Sequence, residues 1–223
     1  MIIPVIFEDN DIVVIDKPSG VVVHPFDFSQ EDTVLDFLHE HVPQTFEIKN
    51  EITLQDGRTI NLGGLVHKLD RDTSGVLLVA KTESVFKELR EQFAHHSVQK
   101  TYLALVEGNV KEDVSTIHAP LGRNKKDYKQ KVNPENPRGE LKEAITDVKV
   151  LERKEHMTLV ELKPKTGRTH QLRAHMEYMG HPIVGDIAYG SKIKAERIML
   201  HASKLCVKIK EKEAEFKSST SFS

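Results

Sequence analysis

The sequence predicts an α+β fold, a mixed, mainly antiparallel sheet with a few flanking helices. Two patterns predict it. Strand-like segments outnumber helix-like ones, and neighbouring strands are joined by short turns rather than crossover helices. Size is the third observation: 223 residues, 38% apolar and 30% charged, suit one domain spanning 1–223 that buries its own core.

Residues 2–7 and 12–15 are apolar runs around Glu8-Asp9-Asn10-Asp11, the pattern of a hairpin. Lys17-Pro18-Ser19-Gly20 ends it in a turn. Residues 33–38 form a short amphipathic helix with Asp32 or Thr33 as its cap. Residues 43–64 are polar, end in Gly63-Gly64, and read as an irregular connection. The near-continuous apolar run 75–82 predicts a buried strand. Phe86, Leu89 and Phe93 recur at helical spacing, which predicts a helix over 83–95. Residues 100–107 alternate as a strand does. Residues 120–142 are rich in Gly, Pro and Asn. They carry Arg123, Lys125, Lys126, Lys129, Lys131, Arg138 and Lys142 and read as a basic, mobile loop. Strands are expected over 144–152 and 157–163, a helix over 169–179 closed by Gly180, and a last strand over 200–209. The Ser-rich tail from Lys217 is expected to fray.

Composition narrows the function. One cysteine, Cys206, excludes a disulfide framework within the chain and any multi-cysteine metal site. The start MIIPVIFEDND has no basic n-region, and no run approaches the ~18 apolar residues of a membrane span. A reducing, cytoplasmic setting is therefore expected. The net charge of −2 argues mildly against a nucleic-acid partner, but it is an average. Residues 1–64 hold 12 acids and 3 bases, a net of −9. That leaves 22 acids against 29 bases after them, a net of +7. Association follows local potential, so a basic face remains open.

Phosphate-loop and dinucleotide glycine patterns are absent. Ser74 does not sit in the Gly-x-Ser-x-Gly of a hydrolase elbow. Twelve histidines invite a metal-dependent hydrolase, but His-Glu-x-x-His is missing, and His170 and His175 fall on different helix faces. No metal or cofactor is expected.

Three segments hold the chemistry. The first, 64–75, packs charged and hydroxyl groups between two apolar runs, as a site or as a solvated turn with an ion pair. The second, 163–175, carries bases and no acid at a helix start, where backbone N–H groups favour anions. Its Arg168 and Arg173 suit a phosphate or a buried carboxylate. The third, 100–105, places Tyr102 on a strand, as a core tyrosine or as a stacking platform for a nucleobase.

These segments resemble, in order, the RluA family of pseudouridine synthases. The matching pieces are 16–25 (DKPSGVVVHP), 67–81 (HKLDRDTSGVLLVAK), 100–104 (KTYLA), 167–175 (GRTHQLRAH), 180–186 (GHPIVGD) and 200–202 (LHA). The resemblance implies the pseudouridine synthase fold, with helices and loops around a central cleft. It implies isomerisation of uridine in tRNA or ribosomal RNA without a cofactor. It makes Asp70 the essential nucleophile or base, Tyr102 the base-stacking residue, and Arg168 the partner of that aspartate. His67, Lys68, Leu69, Arg71, Thr73, Gly167, His170, Gln171, Arg173 and Leu200 become substrate-binding residues. An arginine beside Asp70 favours its charged form. Lys68 stands where the family usually has Arg, keeping charge but losing the planar donor fork. After Leu205 the chain also departs from the family's usual His-Pro continuation. The motif begins near residue 5, so no N-terminal S4-type RNA-binding domain is expected, and RNA affinity must come from 120–142 and 163–175. No protein partner is required. A non-catalytic RNA-binding protein on the same fold is the alternative.

Overall fold

The computed structural model describes residues 1–25, 32–54, 56–125, 129–135 and 137–219. In chain order its elements are β1 (Val5–Glu8), β2 (Ile12–Lys17), α1 (Val34–His41), β3 (Glu51–Thr53), β4 (Thr59–Asn61), β5 (Ser74–Ala80) and α2 (Glu83–Ala94). There follow β6 (Gln99–Glu107), β7 (Val114–His118), β8 (Leu121–Arg123), β9 (Gln130–Val132), β10 (Ile145–Arg153), β11 (Met157–Pro164), α3 (Gln171–Tyr178), β12 (Leu200–Ile209) and β13 (Lys212–Lys217). The mixed, mainly antiparallel sheet with few helices is the architecture the sequence predicts. The chain forms two compact units, Met1–Val98 with the segment from Ser203, and Gln99–Ala202.

In the first unit the strand order is β1-β2-β5-β12, with β13 on β12. The β2–β5 ladder pairs Ile12 with Ala80 through Lys17 with Gly75. All seven residues of β5 are buried, which is why its sequence is apolar without alternation. Val85 and Leu89 of α2 pack with Val14, Leu78 and Leu205. Thr33 caps α1 in a full capping box: its hydroxyl accepts from Asp36 N, and Asp36 Oδ2 accepts from Thr33 N at 2.8 Å.

In the second unit β6, β11, β10 and β7 follow one another as antiparallel neighbours. Ala104, Val106, Val160 and Leu162 form its core with Leu172 and Met176 of α3. That helix ends as expected at Gly180, φ +77°. Gly180 N donates to Glu177 O and His181 N to Met176 O, a complete Schellman motif.

Three expectations change. The connection 43–64 holds a short 3-10 turn (Pro43–Glu47) and the β3–β4 hairpin. The described part of 120–142 is not an open loop. β8 and β9 pair from Leu121–Val132 to Arg123–Gln130, and Leu121 also bridges Lys142. Lys126 lies outside the described residues. The C-terminal segment does not fray from Lys217. β13 pairs with β12, and Ser218 donates to Asp16 Oδ2 at 2.7 Å. Residues 220–223 lie outside the described residues.

Candidate active site

Asp70 opens a β-turn, its carbonyl accepting from Thr73 N at 3.1 Å. The turn 17–20 clasps it. Gly20 N and Lys17 Nζ both donate to Arg71 O, at 2.9 Å each. Arg71 Nε returns a bond to Gly20 O at 3.1 Å, and Ser19 Oγ donates to Asp72 O at 2.8 Å. Gly20 adopts φ +84°, which a side chain would oppose. Lys17 is wholly buried, and its ammonium also donates to Pro18 O and Val21 O. Burial pushes this amine down to about 8, against the opposing pull of Asp72 and Asp70. The motif at 16–20 is thus a clamp on the turn that presents half-buried Asp70. Lys17 lies within the matching segment 16–25, and its contact with Arg71 O gives it this task.

Before it reaches Asp70 the chain runs beside β5. Ala80 N donates to Gly64 O at 2.9 Å, and Leu65 bridges Val79. Leu78 N, two residues back along β5, donates to His67 Nε2 at 3.0 Å. The His67 ring stacks on Phe93, centroids 4.7 Å apart. His67, expected to bind substrate, spends this nitrogen on positioning the Asp70 segment. Lys68 and Arg71 are exposed, while Leu69 and Thr73 are buried.

In the second unit Gly167-Arg168 is held by Gln171. Gln171 Oε1 accepts from Arg168 N at 3.1 Å and Thr166 Oγ1 at 2.7 Å. Its Nε2 donates to Ile145 O and Thr146 Oγ1, both at 3.0 Å. Thr146 in turn meets buried His175, whose charged form burial disfavours. Every polar valence of the buried Gln171 side chain is used, so its work is to fix the turn rather than to touch substrate. Arg168 is half-buried and donates from Nε to Glu143 O. His170 sits at φ +53° before α3 with Nδ1 2.9 Å from the Tyr189 hydroxyl.

Arg173 meets a carboxylate. Of the two readings left open, the carboxylate holds. Nε and Nη2 donate to Asp186 Oδ2 and Oδ1 at 2.6 and 2.9 Å. The guanidinium also lies 4.7 Å from the centre of the Tyr189 ring. Burial and a bidentate partner commit it to the fold.

Tyr102 is half-buried and packs against the cluster that contains Leu172 and Leu200. Two residues earlier on the same face of β6, Lys100 is half-buried, and desolvation alone pushes its amine down. A Cβ placed on Gly167 would lie 3.6 Å from Lys100 Nζ, so the ammonium rests against that turn. Lys100 stands in the matching segment 100–104, two residues before Tyr102. Among the described residues no three His, Cys, Asp or Glu side chains converge as a metal site, and no helix is long and apolar enough to cross a membrane.

The family model for RNA pseudouridylate synthase matches residues 11–178, which include Asp70, Tyr102 and Arg168. Ribosomal large subunit pseudouridine synthase D of Borreliella burgdorferi is 39% identical over 206 residues, covering 91% of this chain and 60% of the relative. Ribosomal large subunit pseudouridine synthase C of Vibrio parahaemolyticus is 35% identical over 209 residues, covering 90% and 60%. The chain thus spans about 60% of the length of these curated relatives. The solved structure of human RNA pseudouridylate synthase domain containing 1 matches with a TM-score of 0.79 and 28% identity, over 98% of this chain and 84% of that one. With the model matched across all three segments that carry the chemistry, the chain belongs to the RNA pseudouridylate synthase family, in its RluA-type branch.

Proposed function

We propose that this chain isomerises uridine to pseudouridine in RNA, with large-subunit ribosomal RNA favoured over tRNA by the names of its relatives. The observation that carries this reading is Asp70, on a turn fastened by four hydrogen bonds between residues 71–72 and the 17–20 clamp, inside the family's matched region. A carboxylate that must attack or deprotonate at one sugar carbon needs a fixed backbone beneath it. The chain 1–223 is read as one catalytic domain, acting in the cytoplasm without an obligatory protein partner.

The reaction breaks the C1′–N1 bond, turns the uracil, joins C1′ to C5, and moves one proton from C5 to the N1 side. No electrons are exchanged with a second reactant, so the chain's own groups suffice. Asp70 is the nucleophile at C1′ or the base at the sugar. Tyr102, seated on the Leu200 cluster, stacks on the base as it turns. Arg168, whose backbone N–H donates to Gln171 Oε1, supplies the guanidinium of the catalytic set. Lys68 and Arg71 are exposed for contact with RNA, while Leu69 and Thr73 are buried in the first unit and Leu200 in the second.

The test is to incubate unmodified ribosomal RNA and tRNA with the chain and map carbodiimide-induced reverse-transcription stops. New stops are expected with the wild type and none with Asp70→Asn, which retains RNA binding. Equal stops with both proteins would refute the assignment of Asp70. RNA binding with no stops at all would favour the non-catalytic alternative.

A further inference from the structure

Lys100 has no role in the site as the family resemblance draws it. It is half-buried, and its ammonium makes no hydrogen bond or ion pair with the described residues. A partly desolvated ammonium without a partner carries a cost, and chains rarely keep one that does nothing. Its Nζ rests against Gly167, whose exposed backbone, lacking a Cβ, lets a ligand come close. Gly167 and Arg168 are also a wall of a pocket of about 310 Å³. That pocket brings Arg123 and Arg138 of the β8–β9 region together with Lys142, and its lining has one acid, Glu140. On β6, Lys100 shares its face with Tyr102 at two-residue spacing, so a group bound at Lys100 lies next to a base stacked on that ring.

We propose that Lys100 and the Gly167-Arg168 turn bind a phosphodiester of the RNA strand carrying the target uridine. Arg123, Arg138 and Lys142 in the adjoining pocket extend the contact to neighbouring phosphates. The inference rests on the RNA reading above and deepens it. A neutral uracil carbonyl calls for one donor; a pocket with four cations and one acid suits the charge of a phosphate track. Lys100 then gains its missing partner only when RNA is present.

The experiment measures binding of an unmodified large-subunit ribosomal RNA transcript to the whole chain across about 50–200 mM salt. Lys100→Met keeps the length of the side chain without its charge. The slope of log affinity against log salt is expected to fall by about 0.7–0.9, one phosphate contact, while Lys100→Arg keeps the wild-type slope. In turnover assays KM is expected to rise more than kcat falls. Should the methionine variant fail to fold, Lys100→Gln gives the same reading. An unchanged slope with a lowered kcat would overturn the phosphate site and assign Lys100 to the uracil. The two proposals fail separately. Pseudouridine formed without a slope change sinks the phosphate site alone. A slope change without any pseudouridine sinks the synthase reading alone.

Discussion

Replacing Asp186 with Ala separates the two readings of Arg173. The pair is nearly sealed from water, with Arg173 8% and Asp186 1% exposed. Removing the carboxylate strands a guanidinium that had two charge-assisted bonds, at 2.6 and 2.9 Å. Breaking one side of such a pair costs roughly 3–5 kcal/mol. Asp186 also caps the short 3-10 turn Ile187–Tyr189 through Tyr189 N, and losing that cap adds about 1 kcal/mol. The sum, roughly 4–6 kcal/mol, is a large part of the usual 5–15 kcal/mol stability of a folded chain. Urea unfolding followed by far-UV circular dichroism reads the loss. Arg173→Met should also lose stability, and Arg173→Met combined with Asp186→Leu should lose far less than the two single losses together. Were Arg173 a phosphate ligand instead, its methionine variant would keep its stability within about 1 kcal/mol. It would then lower the salt slope of RNA binding by about 0.9. That pair of results would refute the structural role.

Two further predictions concern the first unit. Lys17 titrates near 8 in the folded chain and near 10.5 unfolded, so between these values the unfolded chain holds more protons. Stability therefore rises with pH across that window, by up to about 3 kcal/mol, and the rise should vanish in Lys17→Met. Parallel pH profiles of unfolding free energy for the two proteins would refute it. Gly64→Ala would put a Cβ 1.8 Å from Ala80 O, a backbone atom that cannot swing aside. A loss of roughly 3 kcal/mol is expected, with faster hydrogen exchange at the Ala80 amide; unchanged exchange there would refute the close approach.

Much of the fold was legible along the chain because its signals are local. The 3.6-residue spacing of Phe86, Leu89 and Phe93 marks α2, the unbroken apolar run marks β5, and Thr33 and Gly180 mark helix ends. What was missed lacks such signals. The β12–β13 hairpin turns at Lys210-Glu211, both at positive φ (+51° and +65°), where Asn-Gly is the usual cue. Lys210 is held there by Asp11 and Glu88, from distant parts of the chain. β7 is short and mostly exposed, so its sequence has little apolar pattern to show. The β8–β9 pair hides inside a stretch whose Gly, Pro and Asn content suggests a loop.

For the candidate site, the sequence by itself determined the family and the candidate residues, since motifs are strings of neighbours. Charge and residue type also showed where anions or carboxylates are welcome. They did not show which group meets which. Only tertiary structure decided that Arg173 belongs to Asp186, that Gln171 serves the Gly167-Arg168 turn, and that His67 serves Leu78. It alone brings buried Lys17 onto the carbonyl beside Asp70 and rests Lys100 against Gly167. The physical reason is that a polar side chain's role depends on its burial and its partners. Those partners lie 11 residues away for His67 and 54 for Lys17, at separations that no local pattern encodes.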